Sequence, residues 1–107
     1  MKKITSIDDI RTIAGPALKK TPAQKAFIFG AWARGTQTRR SDIDMMVISN
    51  QETVRFFDRY KEFDPLYEAL GEAGLDLLIY SKEELDTMAE RPFIKTVMRE
   101  GVQVYER

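Results

Sequence analysis

The chain has 107 residues, equal numbers of basic and acidic side chains (17 of each) and a formal net charge of zero. This length allows one modest hydrophobic core, so we expect a single domain over residues 1–107. A neutral chain lacks the long-range positive field of proteins that bind nucleic acid through bulk charge. Because the chain contains no cysteine and no histidine, disulfides, thiol catalysis, serine–histidine triads and the usual zinc sites are excluded. Acid–base or metal chemistry must therefore use Asp, Glu, Lys, Arg or Tyr.

The sequence contains no stretch that suggests export or membrane insertion. The longest apolar run, residues 26–33, is much shorter than the ~20 residues that cross a bilayer. The basic start at Lys2 and Lys3 is followed closely by Asp8 and Asp9, which is unlike a secretory signal. We therefore expect a cytoplasmic protein.

Apolar periodicity and turn residues predict alternating helices and strands. The first half of the chain predicts a helix capped by Ser6 and interrupted or bent at Pro16, a strand over 25–29, a helical turn over 31–34 and a strand over 42–49. A mostly helical segment follows over 52–73, with a kink or break at Pro65. The last part predicts a strand over 75–80, a helix over 82–90 capped by Ser81, a helix from Pro92 to about Glu100 and a last strand over 102–105. This pattern predicts an α/β (α+β) fold with a small mixed sheet of three to four strands flanked by helices.

Aromatic residues recur at helical spacing within the long fourth segment, at Phe56, Tyr60, Phe63 and Tyr67. We expect this stripe, like Trp32, to lie mainly in the core, because amphipathic helices bury such a face. In a domain this small, part of the stripe could remain exposed for a partner.

The most informative motif is a glycine turn followed by two alternating carboxylates. Gly30 ends the apolar strand over 25–29, and Asp42 and Asp44 begin the next one. Because side chains alternate along a strand, both carboxylates project from one face, and Ile43 projects from the other. Two neighbouring carboxylates repel each other unless one is protonated or a cation lies between them, and oxygen ligands suit Mg²⁺. The motif therefore predicts a phosphate-binding turn opposite a carboxylate metal site, as in a nucleotidyltransferase.

These residues resemble the minimal nucleotidyltransferases of the polymerase-β-type superfamily. Gly30-Ala31, the ten residues that follow and Asp42-Ile43-Asp44 match the spacing of that family's pattern. A third carboxylate on a later strand is available as Asp76, and the ending over 94–105 also looks like that of the family. The chain departs from the pattern at one position, where Ala31 replaces the motif serine.

The resemblance implies transfer of AMP from ATP to a hydroxyl of a protein partner. Asp42, Asp44 and Asp76 would be the catalytic residues and the ligands of one or two Mg²⁺ ions. Gly30, Ala31 and Arg34 would bind the nucleotide. The family also implies that this chain is the antitoxin of an all-helical HEPN-type toxin, assembled with it or with further copies of itself.

Several alternatives remain open at the level of sequence. Asp76 could instead form a structural salt bridge, and Arg34 could either contact phosphate or pair with an acidic neighbour. The loss of the hydroxyl at Ala31 favours a catalytically weakened module that neutralises its partner by contact alone. A small-molecule adenylyltransferase is the remaining alternative, although we expect a single domain of 107 residues without the second domain of such enzymes.

Overall fold

A computed structural model describes residues 4–51 and 54–107. Within these ranges the chain forms the following elements, in order: α1 (Ile7–Leu18), β1 (Ala23–Phe29), α2 (Ala31–Arg34), β2 (Ile43–Ser49), α3 (Asp64–Leu70), β3 (Leu75–Tyr80), α4 (Lys82–Thr87), α5 (Pro92–Glu100) and β4 (Val102–Glu106). Two 3₁₀ helices, Phe56–Phe63 and Gly71–Ala73, flank α3. In this part of the chain, no helix has the length and apolar character needed to span a bilayer.

The strands form one four-stranded sheet in the order β3-β2-β1-β4. β2 is parallel to β3, and β1 is antiparallel to both β2 and β4. The predicted small mixed sheet is therefore confirmed. Because of these directions, β1 ends at the same edge of the sheet at which β2 and β3 begin. We call this edge the carboxylate edge, defined by Gly30, Asp42, Asp44, Gly74 and Asp76.

Helices cover both faces of the sheet. On one face, α1 and α3 pack against alternate residues of the strands, which include Ile28, Ile43 and Met45. On the other face, α4 and α5 contribute Leu85, Ile94 and Val97 to a smaller cluster around Met46. Met45, Met46 and Val47 are fully buried, as expected of a strand covered on both faces.

The first helix follows the predicted cap but is not interrupted by its proline. The Ser6 hydroxyl accepts a hydrogen bond from the Asp9 N–H at 3.1 Å. α1 continues through Pro16 to Leu18. Of the two predicted effects of Pro16, interruption or bending, interruption does not occur, since a proline in the last turn removes only one hydrogen bond while the apolar face of the helix stays buried.

The segment predicted as mostly helical over 52–73 begins outside the described residues, at positions 52 and 53. From Phe56 to Phe63 it is a 3₁₀ helix, and the α-helix begins at Asp64. Pro65 lies in the first turn of α3, where the missing N–H removes no hydrogen bond. The predicted break at Pro65 is therefore confirmed. In the aromatic stripe Phe63 is fully buried, whereas Tyr60 and Tyr67 are partly buried against the core.

The remaining elements differ from the predictions only at their ends. β1 begins at Ala23 rather than residue 25, and β4 continues to Glu106. β2 begins at Ile43, so Asp42 lies immediately before it. α4 has the predicted Ser81 cap but ends at Thr87 instead of residue 90.

Candidate active site

A glycine in an unusual conformation brings the end of β1 against β2. Gly30 has φ 71°, a conformation that residues with a side chain rarely adopt. A Cβ atom at this position would lie 2.2 Å from Oδ2 of Asp44. Phe29, the preceding residue, is paired with Asp44 across the antiparallel strands. The two halves of the sequence motif therefore meet in the structure, and only glycine leaves space for the Asp44 carboxylate.

The structure also brings the third predicted carboxylate to this place. Asp44 and Asp76 are paired in the parallel ladder of β2 and β3. Burial is the main cause that raises the pKa of Asp44, followed by the charge of Asp76, a hydrogen-bonding contact with Asp76 and the charge of Asp42. Arg34 acts in the opposite direction and lowers the pKa of Asp44. Asp42, Asp44 and Asp76 thus interact as one group of like charges.

A second glycine at the carboxylate edge was not recognised from the sequence as part of the site. Gly74 has φ 84°, and a Cβ atom there would lie 2.3 Å from Oδ1 of Asp42. Its carbonyl accepts a hydrogen bond from the Ile43 N–H at 2.8 Å. In the sequence, Gly74 directly precedes the strand predicted over 75–80 and has no other distinguishing feature. Its position two residues before Asp76 was the available signal. That signal can be interpreted only once β2 and β3 are known to be parallel neighbours, because their pairing brings Gly74 next to Asp42.

The loop after Gly30 carries a cation close to the carboxylates. Arg34, the last residue of α2, forms an ion pair with Glu100 at 3.4 Å, and its charge also acts on Asp44. The side chain of Arg34 remains half-exposed. Pairing with an acidic neighbour is therefore observed, and the nearness to Asp44 is compatible with a phosphate contact as well. Glu100 was not predicted, because it comes from the far end of the chain.

Tyr67 is another neighbour that the sequence did not indicate. Burial raises the pKa of its hydroxyl, and the charge of Asp76 raises it further. This ring from α3 therefore lies within electrostatic reach of Asp76. Two further cations, Arg39 and Arg40, are exposed in the loop before β2.

The donor chemistry of the carboxylate edge suits a hard divalent cation. All three candidate ligands are carboxylates, and the charges of Asp76 and Asp42 add to burial in raising the pKa of Asp44. Within residues 4–51 and 54–107, however, no three Asp or Glu side chains are grouped closely enough to hold an ion as they stand. Asp44 and Asp76 instead contact each other. Binding of a cation would require these side chains to turn from each other toward the ion.

The site is open rather than enclosed. Asp42 and Asp76 are exposed, and Asp44 is partly buried. A groove of about 460 Å³ between α4 and α5 is lined mainly by apolar side chains such as Leu85 and Met98, and the three carboxylates of the carboxylate edge lie outside it. A ligand at the carboxylate edge would therefore remain accessible to a second molecule.

The comparison with family models decides the class of this protein. Residues 12–107 match the model described as polymerase beta, nucleotidyltransferase. The chain belongs to this nucleotidyltransferase family. A protein of Methanocaldococcus jannaschii, described provisionally as a protein adenylyltransferase, is 30% identical over 103 residues, which cover 95% of this chain and 97% of that protein.

Solved structures agree with the fold of this nucleotidyltransferase. A provisionally described nucleotidyltransferase of Sulfolobus solfataricus has a TM-score of 0.63 at 20% identity, over 100% of this chain and 93% of that one. A toxin–antitoxin structure with AMP-PNP has a TM-score of 0.60 at 23% identity, over 94% of this chain and 74% of that one. A variant of the toxin–antitoxin pair MntA–HpeT has a TM-score of 0.59 at 20% identity, over 97% and 75% of the two chains.

Proposed function

We propose that this nucleotidyltransferase transfers AMP from ATP to a hydroxyl group of a protein partner. The observation that carries the proposal is the pairing of Asp44 with Asp76 in the ladder of β2 and β3, directly against Gly30. Family membership supports the transfer of a nucleotide. A protein acceptor is supported by the description of the M. jannaschii relative.

In this proposal each carboxylate has a separate role. Asp42 and Asp44 hold the Mg²⁺ ion that accompanies the triphosphate, and Asp76 joins them from the neighbouring strand. Bound there, magnesium would supply charge neutralisation for the attacking and leaving oxygens. Asp76 accepts the proton of the acceptor hydroxyl while the hydroxyl oxygen forms a bond to the α-phosphorus. The bond between the α-phosphorus and the bridging oxygen breaks, and pyrophosphate leaves.

The loop after Gly30 has the complementary role of holding the phosphates. The glycine backbone allows close approach, and the N–H groups that follow it can donate to phosphate oxygens. Arg34 adds a charge-assisted hydrogen bond, for which it must leave or share its contact with Glu100. This arrangement orients the α-phosphorus toward Asp76.

We further propose that the partner is a toxin of the all-helical HEPN type and that this chain is its antitoxin. Two structures with the same fold are described as toxin–antitoxin assemblies, and one of them contains AMP-PNP. The exposed position of Asp76 agrees with an acceptor that is delivered by a second protein. Both proteins would then act in the cytoplasm.

The experiment that tests the function measures transfer of radiolabelled AMP. The protein, Mg²⁺ and ATP labelled at the α-phosphate are incubated with a purified all-helical HEPN-type toxin as the acceptor. We expect labelled partner with the wild type and none with Asp76→Asn, while Asp76→Asn keeps its ATP affinity within a few-fold. Transfer by folded Asp76→Asn at the wild-type rate would contradict the catalytic role and favour a structural one.

A second candidate function is neutralisation of the partner by contact alone. The observation that favours it is Ala31, because its methyl group cannot donate the hydrogen bond of the motif serine. The loss of one such bond costs roughly 0.5–3 kcal/mol, which weakens ATP binding without removing the carboxylates. Inhibition of the partner without ATP, together with an unlabelled partner after incubation, would establish this second function.

A further inference from the structure

Gly74, directly before β3, combines a positive φ with a backbone hydrogen bond to β2. Its φ of 84° is a conformation that residues with a side chain rarely adopt. Its carbonyl accepts the hydrogen bond from the Ile43 N–H at 2.8 Å, at the start of the pairing between β2 and β3. The turn alone therefore accounts for the positive φ of Gly74. It does not account for the side chain that lies against this glycine.

Beside Gly74 lies the carboxylate of Asp42. A Cβ atom at position 74 would be 2.3 Å from Oδ1 and 3.1 Å from Cγ of Asp42. The first distance is shorter than Cβ atoms tolerate and the second is unusually tight, so any side chain at 74 would displace the carboxylate. The carboxylate could move only away from Gly74, which would change its distance from Asp44 and Asp76.

We propose that Gly74 is a positioning residue that holds a place for the Asp42 carboxylate at the carboxylate edge. Its role toward nucleotide transfer rests on the proposed function, but its role toward Asp42 does not. Gly30 has the same relation to Asp44, since a Cβ atom there would be 2.2 Å from Oδ2. Each of the two carboxylates of the Asp-x-Asp pair therefore lies against the backbone of a glycine with positive φ.

Gly35 provides a control for positive φ without a neighbouring carboxylate. It has φ 74° and ψ 18°, in the left-handed helical region, and a Cβ atom at position 35 would have no neighbour within 4 Å. Gly74 has φ 84° and ψ 115°, so alanine is more strained at 74 than at 35, and only alanine at 74 meets a carboxylate. Because the strain of the turn is the same with and without Asp42, comparison of the two backgrounds separates it from the cost of displacing Asp42.

The test introduces Gly74→Ala and Gly35→Ala, each in the wild type and in Asp42→Ala. Urea unfolding of the four variants and their two parents gives the stability cost of each alanine. We expect the cost of Gly74→Ala to be smaller in the Asp42→Ala background, because the displaced oxygen is then absent. The cost of Gly35→Ala should be the same in both backgrounds, since the two sites share no contact.

Mn²⁺ binding, followed by calorimetry, gives a readout that a purely structural glycine would not change. We expect Gly74→Ala to weaken Mn²⁺ binding by about tenfold or more, the usual effect of disturbing a ligand's support. Gly35→Ala should leave it within about twofold.

An equal stability cost of Gly74→Ala in both backgrounds would overturn the proposal, as would failure to fold in both. A wild type that does not bind Mn²⁺ but shows the coupling between positions 42 and 74 would overturn the proposed metal site alone. In that case the positioning of Asp42 by Gly74 would still be supported.

Discussion

The two ends of β3 hold charge in opposite ways. At its beginning, Asp76 lies beside Asp44 and Asp42, and Arg34, the nearby cation, is shared with Glu100. At its end, a single cation is buried among several acceptors. Arg59 is only 3% exposed and comes from the 3₁₀ helix Phe56–Phe63.

Every part of the Arg59 guanidinium has an acceptor. Two of its nitrogens donate to the Glu84 carboxylate at 2.5 and 3.0 Å. Nε donates to the carbonyl of Val54 at 3.0 Å, and Nη1, which also donates to Glu84, reaches the carbonyl of Ile79 at 3.4 Å. Hydrogen bonding from Arg59 is the main cause that lowers the pKa of Glu84, and Ser81 contributes through the capping box of α4.

The difference shows which region balances its charges within the fold and which region leaves like charges together. Around Arg59 the fold supplies both signs of charge, so the pair is satisfied without help from outside. At the carboxylate edge the fold supplies mainly one sign, so the ionised carboxylates destabilise the folded state. Substitutions in the two regions should therefore separate stability from ligand binding.

The largest effect is expected for Asp44→Asn, which removes one charge at nearly constant shape. Binding of Mg²⁺ with ATP should weaken by more than about 100-fold, because even the partners that support a metal ligand typically cost 10–100-fold. The free energy of unfolding should rise at neutral pH, since a carboxylate with a raised pKa destabilises the fold when it is ionised. Calorimetric titration and urea unfolding measure the two effects.

Asp86→Asn is the control for this experiment. Asp86 is exposed on α4, so its substitution removes the same charge at a position away from the carboxylate edge. It should change neither quantity appreciably. Unchanged nucleotide binding in Asp44→Asn would show that the like charges of this edge do not form a ligand site.

The next largest effect is expected for Arg59→Met, which should act on stability alone. Loss of one partner of a buried ion pair costs about 3–5 kcal/mol, and we expect the lower part of that range or slightly less because Glu84 stays partly exposed. Urea unfolding measures the loss, and binding of Mg²⁺ with ATP by the folded variant should be unchanged. Arg55→Met, at an exposed position just before the same 3₁₀ helix, is the matched control. An equal loss in both variants would mean that the buried pair contributes nothing specific.

A smaller effect is expected in the pH dependence of stability. The pKa of Glu84 is lower in the folded protein than in the unfolded chain, so its contribution is complete above the unfolded value near 4.5. That contribution should disappear as pH falls below 4.5 toward the folded value. The pKa of Asp44 is raised, so its effect has the opposite sign, and stability is lost as pH rises above 3.8.

Two variants separate these opposite contributions. Arg59→Met should reduce the loss of stability on acidification below pH 4.5, and Asp44→Asn should abolish the loss that accompanies rising pH above 3.8. Urea unfolding between pH 3 and 7 measures both. An acid profile of Arg59→Met that runs parallel to that of the wild type would contradict the role assigned to the ion pair.

The comparison of the two regions also shows what the sequence could predict. The apolar pattern of the strands is local, and it predicted the small mixed sheet correctly. The spacing of Gly30, Asp42 and Asp44 is local as well, and the structure places Gly30 against Asp44, whereas the role of these residues as a site stays a prediction. Arg59 and Glu84 are 25 residues apart, and their hydrogen bonds depend on how α4 packs against the 3₁₀ helix. Arg59 had no local feature that distinguished it from a solvated charge, and the only local signal at Glu84 was its place three residues after Ser81, which fits a capping box.

The same limit applies within the site. Asp76 could be selected as a candidate from the sequence because burying a carboxylate in an apolar strand costs free energy unless the carboxylate is paired or coordinated. Gly74 and Glu100 could not, because their meaning depends on the pairing of β2 with β3 and on the ion pair between α5 and α2. The 3₁₀ conformation of Phe56–Phe63 was missed because its aromatic spacing also fits an α-helix.

The smallest effect is expected for Ala31→Ser, which restores the hydroxyl of the family motif beside the carboxylate edge. A charge-assisted hydrogen bond to phosphate is worth about 1.5–3 kcal/mol at best, so ATP should bind several-fold more tightly or better. The gain should vanish when Asp42→Asn and Asp44→Asn are also present, because no metal then holds the phosphates near the loop. Calorimetry on the four proteins measures this coupling. A gain that persists without the two carboxylates would mean that the loop binds phosphate independently of them. An unchanged affinity in a wild type that already transfers AMP would show that the backbone N–H groups and Arg34 suffice, and that the alanine is neutral.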